Sequence, residues 1–328
     1  MDTLHIRLFG GFQLSRSGDH ALDTTLTRRL QSFLAYLLLN RQRVFSRDVL
    51  TGLFWGENSE ERARNCLSTA LWRLRRVLEP AEVARGTYLI TGSNSEVGFN
   101  PFSSHWLDIS VFERKTSEIL AKPLRAMGDA DASEMEHSLA LYTGDLLEGF
   151  YDEWVLQERE RLRSLYLESL AHLMRYYTEV GYPAKGVTCG KKILSQEPLR
   201  EEIHRELMRI FCDSGQSSKA IQQYQVCCSV LDRELGILPM EETQALYASI
   251  LRENRAHVKS SPHITQPKGI PRERITLSHA VDQLQEAITR LHEASDQLHQ
   301  AIRLLDEVVQ SSASTSGSAS VGLICKKS

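Results

Sequence analysis

A chain of 328 residues, 41% hydrophobic and 25% charged, is too long for one compact domain and has the composition of a globular protein, not of a disordered or collagenous one. Its formal net charge of −3 hides an uneven distribution: residues 1–102 hold 13 Arg, no Lys and 10 acids, for +3, and the remainder carries −6. No apolar run approaches the ~18 residues of a membrane helix, and Met1 to Arg7 lacks the pattern of a secretory signal, so a cytoplasmic protein without a membrane partner is expected.

Leu4 to Phe9 alternates like a strand, Gly10-Gly11 turns it, and Phe12-Gln13-Leu14 returns, which predicts a small hairpin. A first helix follows from Thr27 to Leu39, with Leu30, Phe33, Leu34, Leu37 and Leu38 as its buried stripe and Arg28 and Arg29 in its first turn. Val44-Phe45 is a short strand or turn. Ser46 is a credible N-cap for a second helix, Arg47 to Phe54, and Gly56 after it is suited to a left-handed C-cap.

The third helix, Glu60 to Leu78, is the most informative stretch. Ala63, Leu67, Leu71, Leu74 and Leu78 recur at steps of three and four, so they share one face that packs on a core. Asn65, Ser68, Thr69, Trp72, Arg73 and Arg76 share the other, a mixture of hydrogen-bonding groups and guanidinium groups that suits base edges and phosphates. Between Arg28 and Arg76 ten Arg face four acids, a local field that attracts polyanions whatever the total charge. Pro80 stops the helix. Tyr88 to Thr91 and Glu96 to Phe99 flank the turn residues Gly92-Ser93-Asn94-Ser95 and predict a second hairpin. Hairpin, three helices, hairpin is the order of a winged helix-turn-helix, expected over residues 1–102. Its wing carries no Lys or Arg and one acid, Glu96.

From Asp108 to about Leu251 the pattern is helical, with breaks at Gly128, Gly144, Gly149, Gly181-Tyr182-Pro183, Pro198, Gly215 and Pro239. A shift of 34 positions carries Leu173 to Leu207, Tyr177 to Phe211 and Gly181 to Gly215, with Ala184 and Ala220 opening the helices that follow. That is the period of tetratricopeptide repeats, so an all-α, TPR-like stack of helical hairpins is expected over 103–252. Such stacks offer concave surfaces to partners.

A polar linker with Pro262, Pro267 and Pro271 is expected over 253–275. Then Leu277, Leu284, Leu291, Leu298 and Leu305 lie seven apart, with Val281, Ile288, Ser295, Ile302 and Val309 between them, a heptad seam over 276–310. Leu at d with β-branched residues at a favours a parallel pair. Small apolar residues at g, such as Ala280 and Ala287, leave open an antiparallel pair, a larger bundle, or docking on the chain's own helical domain. The Ser-rich segment 311–328 is expected to be disordered.

Nothing in the sequence recommends catalysis. The string Gly181 to Gly186 imitates a phosphate loop, but Val187-Thr188 replaces the required Lys and hydroxyl residue. Eleven His form no metal motif, no nucleophile elbow is present, and six Cys include no C-x-x-C pair. No cofactor and no metal are expected, and reduced, mostly buried thiols are.

The segment Leu4 to Leu78, with Arg29-Leu30-Gln31-Ser32-Phe33-Leu34-Ala35-Tyr36-Leu37, Val44-Phe45-Ser46-Arg47-Asp48, Leu53-Phe54-Trp55-Gly56 and Arg73-Leu74-Arg75-Arg76-Val77-Leu78, resembles the response-regulator type of winged helix found in SARP-type transcriptional activators. Leu139 to Leu147, Glu153-Trp154, Arg159-Glu160-Arg161-Leu162 and Pro198 to Pro239 resemble the bacterial transcriptional activation domain that follows it in that family. The fold implied is mainly α with small β elements: a winged helix-turn-helix, a TPR-like domain and a C-terminal coiled-coil helix.

The resemblance implies an activator that binds direct repeats of double-stranded DNA and helps recruit RNA polymerase, with the heptads as a means of homo-oligomerisation. It implies that helix 60–78 enters the major groove, with Thr69 and Arg73 nearest the bases, flanked by Asn65, Ser68 and Trp72. Arg64, Arg75 and Arg76 would face phosphates, and Arg28, Arg29 and Arg47, at helix starts, would hold the backbone. The rival reading is an interaction scaffold of TPR-like stack and coiled coil, with a degenerate winged helix.

Overall fold

A computed structural model describes residues 3–16, 20–22, 26–92 and 96–260, with side chains described to Glu253. The wing tip 93–95, the heptad positions Leu277, Val281, Leu284, Ile288, Leu291, Leu298, Ile302 and Leu305, Cys325 and the Ser-rich tail lie outside the described residues.

The first hairpin pairs β1 (Leu4–Arg7) with β2 (Gln13–Arg16) in the register Leu4 to Arg16 and Ile6 to Leu14. Alternation decides which side is core: Leu4, Ile6 and Leu14 are buried while His5 and Arg7 face out. Two strands extend it that the sequence does not announce, β3 (His20–Ala21) and β7 (His105–Leu107), giving the order β3-β2-β1-β7. Two and three residues are too few for alternation to show, and β7 pairs in parallel with β1 a hundred positions away.

Between these strands lie α1 (Arg28–Leu39), β4 (Phe45–Ser46), α2 (Arg47–Trp55), α3 (Glu60–Leu78), β5 (Leu89–Thr91) and β6 (Glu96–Phe99). The second sheet has the order β4-β6-β5, so the wing hairpin is anchored on the strand that precedes α2. Phe33 packs edge-on to Phe54 at 5.2 Å and to Trp55 at 5.7 Å, and the three rings join the Leu stripes of α1 and α3 in one core. Ser46 caps α2 as expected, its hydroxyl accepting from the Val49 amide at 3.3 Å. Gly56 does not adopt the left-handed cap: its φ of −60° is right-handed. It is small for another reason, since a Cβ there would stand 2.6 Å from the Gly52 carbonyl oxygen.

The second half is helical, with α4 (Asp108–Leu120), α5 (Asp129–Leu139), α6 (Glu153–Val180), α7 (Pro183–Gln196), α8 (Glu201–Asp213), α9 (Ser217–Leu235) and α10 (Glu241–Ser260). The period of 34 is structural: Leu173, Leu207, Tyr177 and Phe211 are buried, and Gly181 and Gly215 both end helices at positive φ, +89° and +70°. Ala184 is not the counterpart of Ala220, being exposed where Ala220 is buried. Gly186, 34 positions earlier, fills that place, where a Cβ would stand 3.2 Å from Thr178 Oγ1 and 3.5 Å from Ile210. Helix α10 runs on to Ser260, past the expected start of the linker, through good helix formers such as Arg252, Glu253 and Ala256.

The two halves are bound together through the backbone. Gly10 N donates to Asp145 O at 2.9 Å and Leu147 N to Leu8 O at 2.8 Å, while the buried carboxylate of Asp108 accepts from the Leu8, Phe9 and Ile109 amides. Burial pushes the Asp108 carboxyl up from its ordinary range, against those three hydrogen bonds. Helix α1 meets the start of α6 directly: Ser32 Oγ donates to Asp152 at 3.0 Å, and Tyr36 packs edge-on to Trp154 at 5.2 Å.

Candidate nucleic-acid interface

Helix α3 buries Ala63, Leu67, Ala70, Leu71, Leu74 and Leu78 and leaves Asn65, Ser68, Thr69, Trp72, Arg73 and Arg76 exposed. Burial of the Leu stripe fixes its orientation, each Leu contributing ~2 to 5 kcal/mol against truncation to Ala. Glu60 and Glu61 in its first turn and Arg75 and Arg76 in its last complement the helix dipole. Its end is tied down by Arg16, whose Nη2 donates to the Leu78 carbonyl at 2.7 Å.

On the wing side of α3 a cleft is lined by Arg47, Ser68, Trp72, Arg75, Arg76, Arg85 and Thr91. Its groups are joined to one another. Arg47 Nη2 donates to Ser68 Oγ at 2.8 Å, and Ser68 Oγ donates in turn to the Arg64 carbonyl at 2.9 Å. The Arg76 guanidinium lies 5.1 Å from the centroid of Trp72, which is 56% exposed. Arg75, expected to meet phosphate, turns inward: its side chain is 19% exposed, it donates to Thr91 Oγ1 at 2.7 Å, and it lies 3.8 Å from Glu79 Oε2. Burial and the neighbouring guanidinium of Arg85 lower its pKa from the ordinary Arg value. The Glu79 carboxylate, 2% exposed, accepts from the amides of Gly86, Tyr88 and Leu89 at 2.8 to 3.1 Å. Arg75 and Glu79 therefore fix where the wing leaves α3.

The opposite flank, lined by Arg29, Arg62, Asn65, Thr69 and Arg73 over a floor of Leu30, Trp55, Cys66 and Ala70, is built differently. Arg29 pairs with Glu57 at 2.9 Å, but Arg62 and Arg73 make no ion pair among the described residues. Thr69 Oγ1 donates to the Asn65 carbonyl at 2.9 Å and keeps its acceptor lone pairs outward.

Two expected phosphate contacts have protein neighbours. Arg28 lies 4.7 Å from the Phe150 ring centroid, on the junction with the helical half, and Arg64 pairs with Glu60 at 2.5 Å and Asp48 at 3.9 Å. Two cations were not singled out in the sequence. Arg62 stands 11 residues, or three turns, before Arg73, so the helical period signals it. Arg85, in the loop before β5, joins the site only through the tertiary fold.

Comparison with known proteins gives this surface its context. Residues 22–94 match the family described as transcriptional regulatory protein, C terminal, and residues 107–251 match the bacterial transcriptional activator domain. The chain is 26% identical over 258 residues to the regulatory protein AfsR of Streptomyces coelicolor, covering 77% of this chain and 25% of that protein. It is 25% identical over 232 residues to the transcriptional regulatory protein MoaR1 of Mycobacterium tuberculosis, covering 69% of this chain and 73% of that protein. The chain thus spans a quarter of the first relative and nearly three quarters of the second. Its fold is similar to that of Mycobacterium tuberculosis EmbR solved with a low-affinity phosphopeptide, at a TM-score of 0.65 and 20% identity over 77% of this chain and 66% of that one. The two matched domains stand in that order, a winged helix-turn-helix presenting α3 and a stack of helical hairpins behind it, an arrangement consistent with SARP-type transcriptional activators.

Proposed function

We propose that this protein activates transcription in the bacterial cytoplasm by laying α3 in the major groove of promoter DNA and presenting its helical half to the transcription machinery. The observation that carries the reading is the row Asn65, Thr69 and Arg73, with Arg62 beside it, exposed along a helix whose opposite face is fully buried. Arg73 is suited to the paired acceptors of guanine, and Asn65 and Thr69 to neighbouring base edges. Trp72 and Ser68 flank them, and Arg29, Arg47, Arg64 and Arg76 meet phosphates. Arg75 acts as a positioning residue that holds the wing, and Arg28 as a strap to the helical half. RNA polymerase is the partner inferred from the family. Exposed Val49 (54%) and Leu53 (45%) on α2 supply an apolar surface of the kind a protein partner covers. Pairing through the heptads of 276–310 would join two readers on direct repeats and raise avidity without new base contacts. The scaffold reading is not favoured by the matched domains.

Gel shifts over a salt series test the assignment. Arg73→Ala is expected to lose ~1 to 3 kcal/mol on cognate DNA and to relax sequence preference. Arg29→Ala is expected to weaken cognate and random DNA alike and to lower the salt slope by about 1. Equal losses on cognate and random DNA for Arg73→Ala would sink the base-reading role.

A further inference from the structure

Away from α3, a cavity of about 480 Å³ opens between the C-terminal end of α4, the middle of α6 and the turn joining α7 to α8. Its size is that of a small-molecule site. Along one face of α6 it collects Ser164, Glu168, His172 and Arg175, at steps of three and four. Leu120 and Leu167 give it an apolar side.

The charges in this cavity are not cancelled. At the α7–α8 turn, Arg200 is held by Glu197 at 3.4 Å and Glu202 at 2.8 Å. Glu168 and Arg175 stand exposed at the mouth of this space and make no ion pair among the described residues. Between them the Nε2 of His172 is buried without a hydrogen-bond partner. A buried ring nitrogen without a partner is uncommon and is normally satisfied by water or a ligand. Burial and the nearby Arg175 lower the His172 pKa, against Glu168, which raises it, and a neutral ring has one N–H to donate.

Glu168 and His172 are four residues apart, about 6 Å along the helix axis. A molecule that carries an ammonium and a carboxylate a few ångströms apart can bridge them, the ammonium toward Glu168 and Ser164 and the carboxylate toward His172 and Arg175. From this arrangement we infer that the cavity is an effector site for a small zwitterion with an apolar substituent, the chemistry of an apolar α-amino acid.

The fold gives such a ligand a route to α3. Both α4 and α6 start on the DNA-binding half: Asp108 opens α4 and holds the Leu8 and Phe9 amides, and Trp154 in the first turn of α6 packs against Tyr36 of α1. A ligand that draws α4, α6 and the α7–α8 turn together therefore acts on two helices whose first turns pack on the half that carries α3. The regulatory role rests on the DNA-binding function proposed above, whereas the site itself does not.

Calorimetric titration of the full chain with L-leucine and L-phenylalanine tests the site, with the deaminated acids 4-methylvalerate and 3-phenylpropionate and the decarboxylated amines 3-methylbutylamine and 2-phenylethylamine as controls. Saturable binding of at least one amino acid, weakened about tenfold or more in Arg175→Ala and in Glu168→Gln, is expected, because each variant removes one charge-assisted hydrogen bond. The single-charge analogues are expected to bind correspondingly more weakly. His172→Phe, which keeps a ring in place and removes the donor, is expected to lose affinity without loss of thermal stability. The site is overturned if neither amino acid binds, if the analogues bind as well, or if the variants bind as the parent does. Gel shifts with and without the bound amino acid then read the coupling. A shift in DNA affinity that disappears in Arg175→Ala supports it, and binding that leaves DNA affinity unmoved overturns the regulatory role alone.

Discussion

The two flanks of α3 use the same residue type in opposite ways. On the wing side, Arg47, Arg75 and Arg76 are each engaged by a protein group, namely a hydroxyl, a buried carboxylate and an indole ring. On the other side Arg29 pairs with Glu57, but Arg62 and Arg73, the two guanidinium groups carried by α3 itself, stand without a carboxylate among the described residues, over a partly apolar floor. A guanidinium already held in place gives up little conformational freedom when a phosphate arrives, which suits a contact that must be in register on every sequence. An unheld guanidinium gives up more and returns it only where a base edge accepts both of its donors, so its contribution depends on sequence.

The sharpest way to break this comparison is through Glu79, on which the wing flank is built. Glu79→Ala leaves three amides without their acceptor and is expected to cost about 3 kcal/mol of stability, measured by denaturant unfolding. An unchanged midpoint would mean that the wing is held by something else. Next comes Arg73→Ala, with its loss of ~1 to 3 kcal/mol confined to cognate DNA. Arg62→Ala probes the same flank one step from the helix start, and a loss of about 1 kcal/mol that is larger on cognate than on random DNA would group it with Arg73. Last is Ser68→Ala, which frees Arg47 while keeping its charge. An affinity loss of about 0.5 kcal/mol, equal on all sequences, is expected in gel shifts. A change of preferred sequence in Ser68→Ala would mean that this side chain reads a base itself besides holding Arg47.

Much of this fold is legible in the chain because its signals are local. The Leu spacing of α3, the Ser46 cap, the two wing strands and the repeat of 34 each need only a few neighbouring residues to be seen. What escaped is non-local or very short. Strands β3 and β7 are two and three residues long, and β7 exists because β1 offers it an edge. The equivalence of Gly186 with Ala220 is hidden because a glycine has no side chain for a hydrophobic pattern to register. In the site, the exposure of Asn65, Ser68, Thr69, Trp72 and Arg73 follows from helical period alone, whereas the inward turn of Arg75 depends on Glu79 and Thr91, and the arrival of Arg85 depends on the path of a loop.

The amino-acid sequence by itself determined that a basic, Arg-only first domain presents an amphipathic helix ahead of a helical repeat, since charge and periodicity are properties of the chain before it folds. The tertiary structure decided which of those Arg remain available. Availability depends on which carboxylates, hydroxyls and rings arrive from distant segments, and a side chain's energy in a partly buried site is set by those neighbours. It also decided that the two halves share α1, α4 and α6 contacts, and so made one body of what the chain lays out as two.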